Sequence, residues 1–305
     1  VAGASALALS GCGTPAAPAA TDPASSAPGS ASATGSAAAI ALLPKDDKIA
    51  AMVPQAVRDK GTIVFATDAT APPNQFFAED GTTLIGNEVE FGEQLASIMG
   101  LKVEWVNVSF DSILPGLQGH RYDSALTGMR VTLERQKIVD FVTYAKAGPQ
   151  LFSKKENANK ISTPEELCGF SLAVQSGTLQ EAQAHEFSDG CVKAGNKEID
   201  IKTFKTQNDQ INAVASGQVM FGAQNAPNNV YLAKQTNGEL VGFGKPFLEG
   251  PWGMPVPKDT GLTESLYEAT KVLVGSPQYL QILEKWDNVD QAIELADVKI
   301  NGAVS

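Results

Sequence analysis

From Lys60 onward the chain alternates strand-like and helix-like patterning twice over, and that rhythm confines it to layered α/β architectures. In the first series, Thr62–Thr67 reads as a strand of β-branched and aromatic residues. Asn87–Met99 reads as a helix with Phe91, Leu95 and Ile98 on one face, ended by Gly100. Residues 102–108 give the next strand, and Phe110–Gln118 a short helix stopped by Gly119. A second series begins near Leu151. Thr163 and Pro164 open a capped helix, residues 170–174 form a strand, and Ser176, Gly177 and Thr178 turn into another helix. A strand at 199–204, a helix at 207–216 and a strand at 219–223 follow. The tail adds an extended stretch at 252–258 and helices near 264–274 and 277–286. Two such series predict two lobes with a cleft between them.

The chain has 305 residues, 43% hydrophobic and 19% charged, enough for two lobes of ordinary size. A net charge of −11 argues against nucleic acid or an anionic membrane surface as partner, but leaves room for a locally positive cleft. No run of 18 or more apolar residues follows the N-terminus, so no spanning helix is expected. No GxxxxGK[ST] loop is present, so nucleotide-driven work would fall to a partner, and no cofactor is called for. His120 and His185 lack a recognisable catalytic setting, and no metal-ligand spacing or nucleophile elbow stands out.

Residues 1–10 are a short small-apolar stretch that runs into Leu9, Ser10, Gly11 and Cys12. This resembles the lipobox of bacterial lipoproteins, in which cleavage precedes a Cys that is then lipidated. No basic start precedes it, so the expectation for 1–11 is a partial signal peptide. Residues 13–44 are almost wholly Ala, Ser, Pro, Gly and Thr until their last few positions, with Asp22 the charge among them. Such a composition buries no core and reads as a flexible tether with a mean reach of roughly 30 Å. With Cys12 used by the anchor, Cys168 and Cys191 remain as a pair in an exported chain, and a disulfide between them would add about 3 kcal/mol. Two separate buried thiols are the alternative.

The segment from Asp123 to Tyr144 carries the strongest functional signal. Residues 124–127 read as a short buried strand, Gly128 breaks it, and Thr132 is placed to cap a helix that holds Glu134 and Arg135 in its first turn. A strand end, a glycine turn and a helix start bring free backbone N–H groups and a guanidinium together. That is the chemistry of holding a small carboxylate without catalysis. The bland alternative makes Arg135 an ordinary surface helix residue.

Here the chain resembles the extracellular solute-binding proteins of the polar amino-acid uptake family, receptors that feed ABC importers. Further landmarks in order are Thr67 and Asp68 before Pro72 and Pro73, Asp80 and Gly81, Gly86 through Phe91, Phe110 through Leu117, and Gln175 through Glu181. The resemblance implies a two-lobed periplasmic-binding-protein-like α/β fold with two hinge crossovers, near 145–150 and 245–252. The expected organisation is a partial signal peptide at 1–11, the lipidated Cys and tether at 12–44, lobe 1 at 45–148, lobe 2 at 149–248, and a return to lobe 1 at 249–305. Implied partners are a small-molecule ligand (an amino acid or derivative), an ABC permease with its ATPase, and the lipid bilayer through Cys12. The implied location is the outer face of the cell membrane.

Carried over residue by residue, the resemblance puts Arg135 on the ligand carboxylate, helped by backbone N–H groups near Arg130 and Leu179. Phe110 would form an aromatic wall, with a plain core Phe as the alternative. Asp68, Thr127, Gly128, Thr178 and Asn225 complete the implied ligand-binding set. Two positions depart from the family. Asn225 stands where an Asp usually balances an α-ammonium group, and Arg130 where a Ser or Thr usually accepts its proton. Both changes favour extra negative charge on the ligand. Ala71 replaces a common aromatic and leaves room. The expected ligand is a bulkier or more acidic amino-acid relative, such as an N-substituted one with a second carboxylate. An Arg130 turned outward, or paired with Asp68, Glu88 or Glu249, would instead leave an ordinary amino-acid site. A dehydratase-like enzyme and a signalling or scaffold lipoprotein of the same fold are the competing readings.

Overall fold

The computed structural model describes residues 40–303, together with Val1. The lipobox-like stretch with Cys12, and the tether as far as residue 39, lie outside the described residues.

The chain runs α1 (Asp47–Met52), α2 (Gln55–Lys60), β1 (Thr62–Thr67), β2 (Thr70–Ala71), β3 (Gln75–Phe77), β4 (Leu84–Ile85), α3 (Asn87–Met99), β5 (Lys102–Asn107), α4 (Phe110–Gln118), β6 (Ser124–Ala125), α5 (Leu133–Gln136) and β7 (Val139–Ala147). The second series follows as β8 (Pro149–Lys154), β9 (Ser171–Gln175), α6 (Leu179–Lys193), β10 (Asp200–Phe204), α7 (Gln207–Ala215), β11 (Phe221–Asn225), α8 (Ala226–Gln235) and β12 (Leu240–Phe243). The tail holds β13 (Gly250–Pro257), α9 (Leu262–Val274) and α10 (Pro277–Lys285).

Two lobes result. The first has a parallel sheet in the order β5-β1-β6, an antiparallel pair β13-β7 and a small antiparallel sheet β2-β3-β4. The second has one sheet in the order β10-β9-β11-β8-β12, in which β10, β9 and β11 are parallel and β8 and β12 antiparallel. Because β13 pairs along β7, the tail rejoins the first lobe. The sheet of each lobe is covered by apolar clusters, as a sheet flanked by helices requires. α3 supplies Phe91, Leu95 and Ile98 to the main one, where the Phe91 and Tyr279 rings lie 5.3 Å apart. Each such fully buried side chain contributes about 1.5–3 kcal/mol.

Both crossovers sit side by side. One is Gly148, between β7 and β8, and the other runs from residue 244 to β13. Phe247 N–H donates to Pro149 O at 2.8 Å, and a Cβ on Gly148 would come within 2.7 Å of the Glu249 side chain.

Several expectations shift. The strand expected at 219–223 is β11, two residues later, because Val219 N–H is taken by Ala213 O and pairing with β8 starts at Phe221. The strand expected at 124–127 ends at Ala125, since pairing with β1 stops there. The helix after Thr163 is a single 3₁₀ turn, Pro164–Leu167, with no side-chain cap bond. Cys168 and Cys191 form a disulfide with Cα atoms 5.5 Å apart, which removes the alternative of two thiols. Among the described residues no helix is long and apolar enough to cross a membrane.

Candidate functional site

A narrow cleft, open to solvent on one side, lies between the lobes. It sits where β1, β6, β9 and β11 end, as open α/β sheets dictate. Asp68, Phe110, Thr127, Gly128, Arg130, Arg135, Thr178, Leu179 and Asn225 all line it.

Arg135 is placed by its own helix. Thr132 caps α5, its hydroxyl accepting from Arg135 N–H at 3.2 Å, which fixes the turn that carries the guanidinium. Nη1 donates to Arg130 O at 2.9 Å within the first lobe, and Nη2 to Gly177 O at 2.9 Å in the second. The cation also lies 5.7 Å from the centre of the Phe110 ring, a cation–π contact. Phe110 therefore both lines the cleft and packs partly on the core beneath it. Burial pushes the Arg135 pKa down to about 10, so the group stays charged at neutral pH. Among the described residues no carboxylate pairs with it.

Backbone donors flank it. Val131 N–H donates to Pro251 O and Gly253 N–H to Met129 O, so the intervening Arg130, bridged to Trp252, turns its own N–H to the opposite edge. Leu179 and Gln180 open α6, where no helical carbonyl can accept the first N–H groups. Thr178 caps that helix, accepting from Glu181 N–H at 3.2 Å.

Asp68 is 3% exposed, and burial raises its pKa against hydrogen bonds from Thr70 and Gln175. Gln175 Nε2 reaches it across the cleft at 2.5 Å. Arg130 forms no ion pair with Asp68, Glu88 or Glu249 among the described residues. Its Nη2 donates to the backbone oxygen of Glu249 at 3.0 Å, and burial lowers its pKa. Asn225 accepts from Gln180 Nε2 at 2.9 Å. Gly128 has φ +60, a left-handed turn, and its N–H donates to Glu88 at 2.9 Å behind the cleft wall.

Other lining residues escaped sequence reasoning. Asn74, Gln75, Gln175, Gln207, Gln210 and Gln224 give the cleft a wall of amides. Gln175 and Gln224 stand at strand C-terminal ends and Gln207 and Gln210 in the first turns of α7, positions that the strand-end rule could have flagged. His120 and His185 are exposed and do not line the cleft. Among the described residues no group of His, Cys, Asp or Glu could hold a metal ion.

Residues 63–289 match the family model of bacterial extracellular solute-binding proteins, family 3. The chain belongs to that family. This family 3 chain is 28% identical over 240 residues to the arginine-binding protein ArgT of Corynebacterium glutamicum, covering 78% of each chain. It is 28% identical over 239 residues to the L-cystine-binding protein TcyJ of Escherichia coli, covering 77% of this chain and 85% of that one. Among solved structures, an ancestral arginine-binding protein bound to arginine superposes with a TM-score of 0.68 and 31% identity over 74% of this chain and 98% of the other. An ancestral amino acid-binding protein, a precursor of cyclohexadienyl dehydratase, matches with the same TM-score and identity over 76% and 97%. Membership in an extracellular solute-binding family places this chain outside the cytoplasm.

Proposed function

We propose that this protein is the solute receptor of an ABC importer, capturing an amino acid or amino-acid-like carboxylate between its lobes and delivering it to a membrane permease. The observation that carries the reading is Arg135, a desolvated guanidinium that lines the cleft and has no carboxylate partner among the described residues. A ligand carboxylate would supply the missing charge, with Leu179 and Arg130 N–H groups adding donors. Relatives named for arginine and cystine binding, and a neighbour solved with arginine, support an amino acid as the class. Asp68, Phe110, Thr127, Gly128, Thr178 and Asn225 would complete the contacts. The ligand would leave chemically unchanged, and transport energy would come from the ATPase partner. We further propose that Cys12 carries the lipid anchor, so that Cys12→Ala would move the protein from the membrane to the soluble fraction.

The test is thermal unfolding of the full chain with a panel of L-amino acids and acidic derivatives. A ligand at about a thousand times its Kd stabilises by about 4 kcal/mol. Arg135→Ala should remove half of that stabilisation or more, because truncating one partner of a desolvated charge pair costs about 2–5 kcal/mol. No shift from any carboxylate would overturn the reading.

A further inference from the structure

We infer that the cleft is built for a dicarboxylate whose nitrogen is substituted, an N-carboxyalkyl amino acid, with its second carboxylate on Arg130. The inference rests on the receptor reading above and adds the ligand's charge pattern. Charge comes first. The charged side chains that line the cleft are Asp68, Arg130 and Arg135, two cations against one acid. A cationic ligand such as arginine would add a third positive charge in a desolvated space, whereas a second carboxylate balances the pair.

Arg130 is also held with one side unused. Its guanidinium lies on the Gly250 backbone, where an added Cβ would fall 1.9 Å from both terminal nitrogens. Nη2 is engaged by Glu249 O, while Nη1 is buried with no partner. A buried guanidinium N–H without an acceptor is costly, so a ligand oxygen there removes a penalty as well as adding a bond.

Asn225 points to the nitrogen. Its Oδ1 accepts from Gln180 with one of its two lone pairs, and as a neutral amide it brings no charge to balance an ammonium, while its Nδ2 has no acceptor among the described residues and offers a donor. A free primary ammonium brings three donors and finds a poor partner there. A substituted nitrogen, with the substituent's carboxylate turned to Arg130 and Asn225, fits the donors presented. The rest of the ligand meets acceptors. Gln75, Gln207, Gln210 and Gln224 are each at least nine-tenths buried, and their Oε1 atoms lack partners. Gln210 is fixed in this sense, because Nε2 donates to Ala173 O and Ala223 O at 2.9 and 2.8 Å. An amide or hydroxyl side chain on the ligand would satisfy them.

Calorimetric titration of the full chain with N-(1-carboxyethyl)-L-glutamine, L-glutamate, L-glutamine and L-arginine tests this. The N-carboxyalkyl probe should bind at least about tenfold tighter than the other three. Arg130→Ser should collapse that ratio, Arg130→Lys should keep part of it, and Arg130→Ser/Asn225→Asp should invert the order in favour of L-glutamine. If L-glutamine or L-arginine binds tightest and Arg135→Ala weakens it, the inference fails while the receptor reading stands. L-Glutamate binding tightest overturns the substituted nitrogen. No binding by any probe overturns both.

Discussion

Glu88 is a carboxylate held far from the water that normally ionises it. It is fully buried on α3, and its Oε1 accepts from Gly128 N–H and from the Tyr144 hydroxyl, while Oε2 has no partner. Tyr144 is buried beside it, its own pKa raised by burial and by the Glu88 charge. Among the described residues no cation pairs with Glu88, so burial pushes its pKa from 4.5 up to about 7. In the unfolded chain Glu88 releases its proton near 4.5, whereas the folded chain keeps it to about 7. Its contribution is therefore complete below the lower value and is lost as pH rises through the window, by about 3 kcal/mol at 1.36 kcal/mol per pH unit. Glu88→Gln should remove that loss. Melting curves of the two proteins compared at pH 5.5 and 8 should show the natural chain falling further; parallel behaviour would mean that Glu88 is ionised throughout. Since its acceptor oxygen holds Gly128, the variant also reports on the cleft wall.

At the scale of elements, α6 buries little apolar surface for its length yet opens directly onto the cleft. Its buried residues are Gln180, Gln183, Ala184, Ser188 and Cys191, a small apolar contribution for fifteen residues. The disulfide from Cys191 to Cys168 secures its far end, while Thr178, Leu179 and Gln180 open onto the cleft. A cross-link over 23 residues restricts the unfolded chain by about 3 kcal/mol. Cys168→Ser/Cys191→Ser should lose about that much, with amide exchange rising first along α6. Unchanged exchange there would show that packing alone holds the helix. Elements with local punctuation were legible in sequence: α3 and α4 begin and end where expected, and Thr132 caps α5. Elements defined by tertiary pairing were not. β7 carries no decisive turn chemistry, and β11 takes its register from β8, a strand about seventy residues away. The site divides the same way. Arg135 could be placed by its cap and glycine turn. The glutamines of α7 read as ordinary helix surface until tertiary packing buries them, Gln210 against the sheet of its own lobe and Gln207 beside Thr70 of the other.

For the whole molecule, the state in hand is closed. Arg135 reaches Gly177 O, Gln175 reaches Asp68, Gln207 N–H meets Thr70 Oγ1 at 3.2 Å, and Asn228 Nδ2 donates to Pro72 O at 2.7 Å. Lys234 and Asp287 add an exposed ion pair at 2.8 Å, worth little by itself. A ligand that binds this state better than an open one shifts the population toward it by its differential affinity. Gly177 offers a way to separate closure from stability. It has φ +74, and an added Cβ would lie 3.0 Å from the Cα and Cβ of Asp111, in the other lobe. Gly195 has φ +78 and nothing within 4 Å of such a Cβ. Alanine at either position carries the backbone strain in open and closed states alike, but at Gly177 alone it also presses on the facing lobe. Overpacking of that kind costs about 1–3 kcal/mol. Gly177→Ala should therefore weaken ligand binding about tenfold and enlarge the radius of gyration of the liganded protein in solution scattering, while Gly195→Ala lowers the melting temperature with affinity unchanged. Equal affinities for the two variants would show that the Gly177 contact yields without opposing closure, and that the hydrogen bonds around Arg135 and Asp68 set the closed geometry on their own.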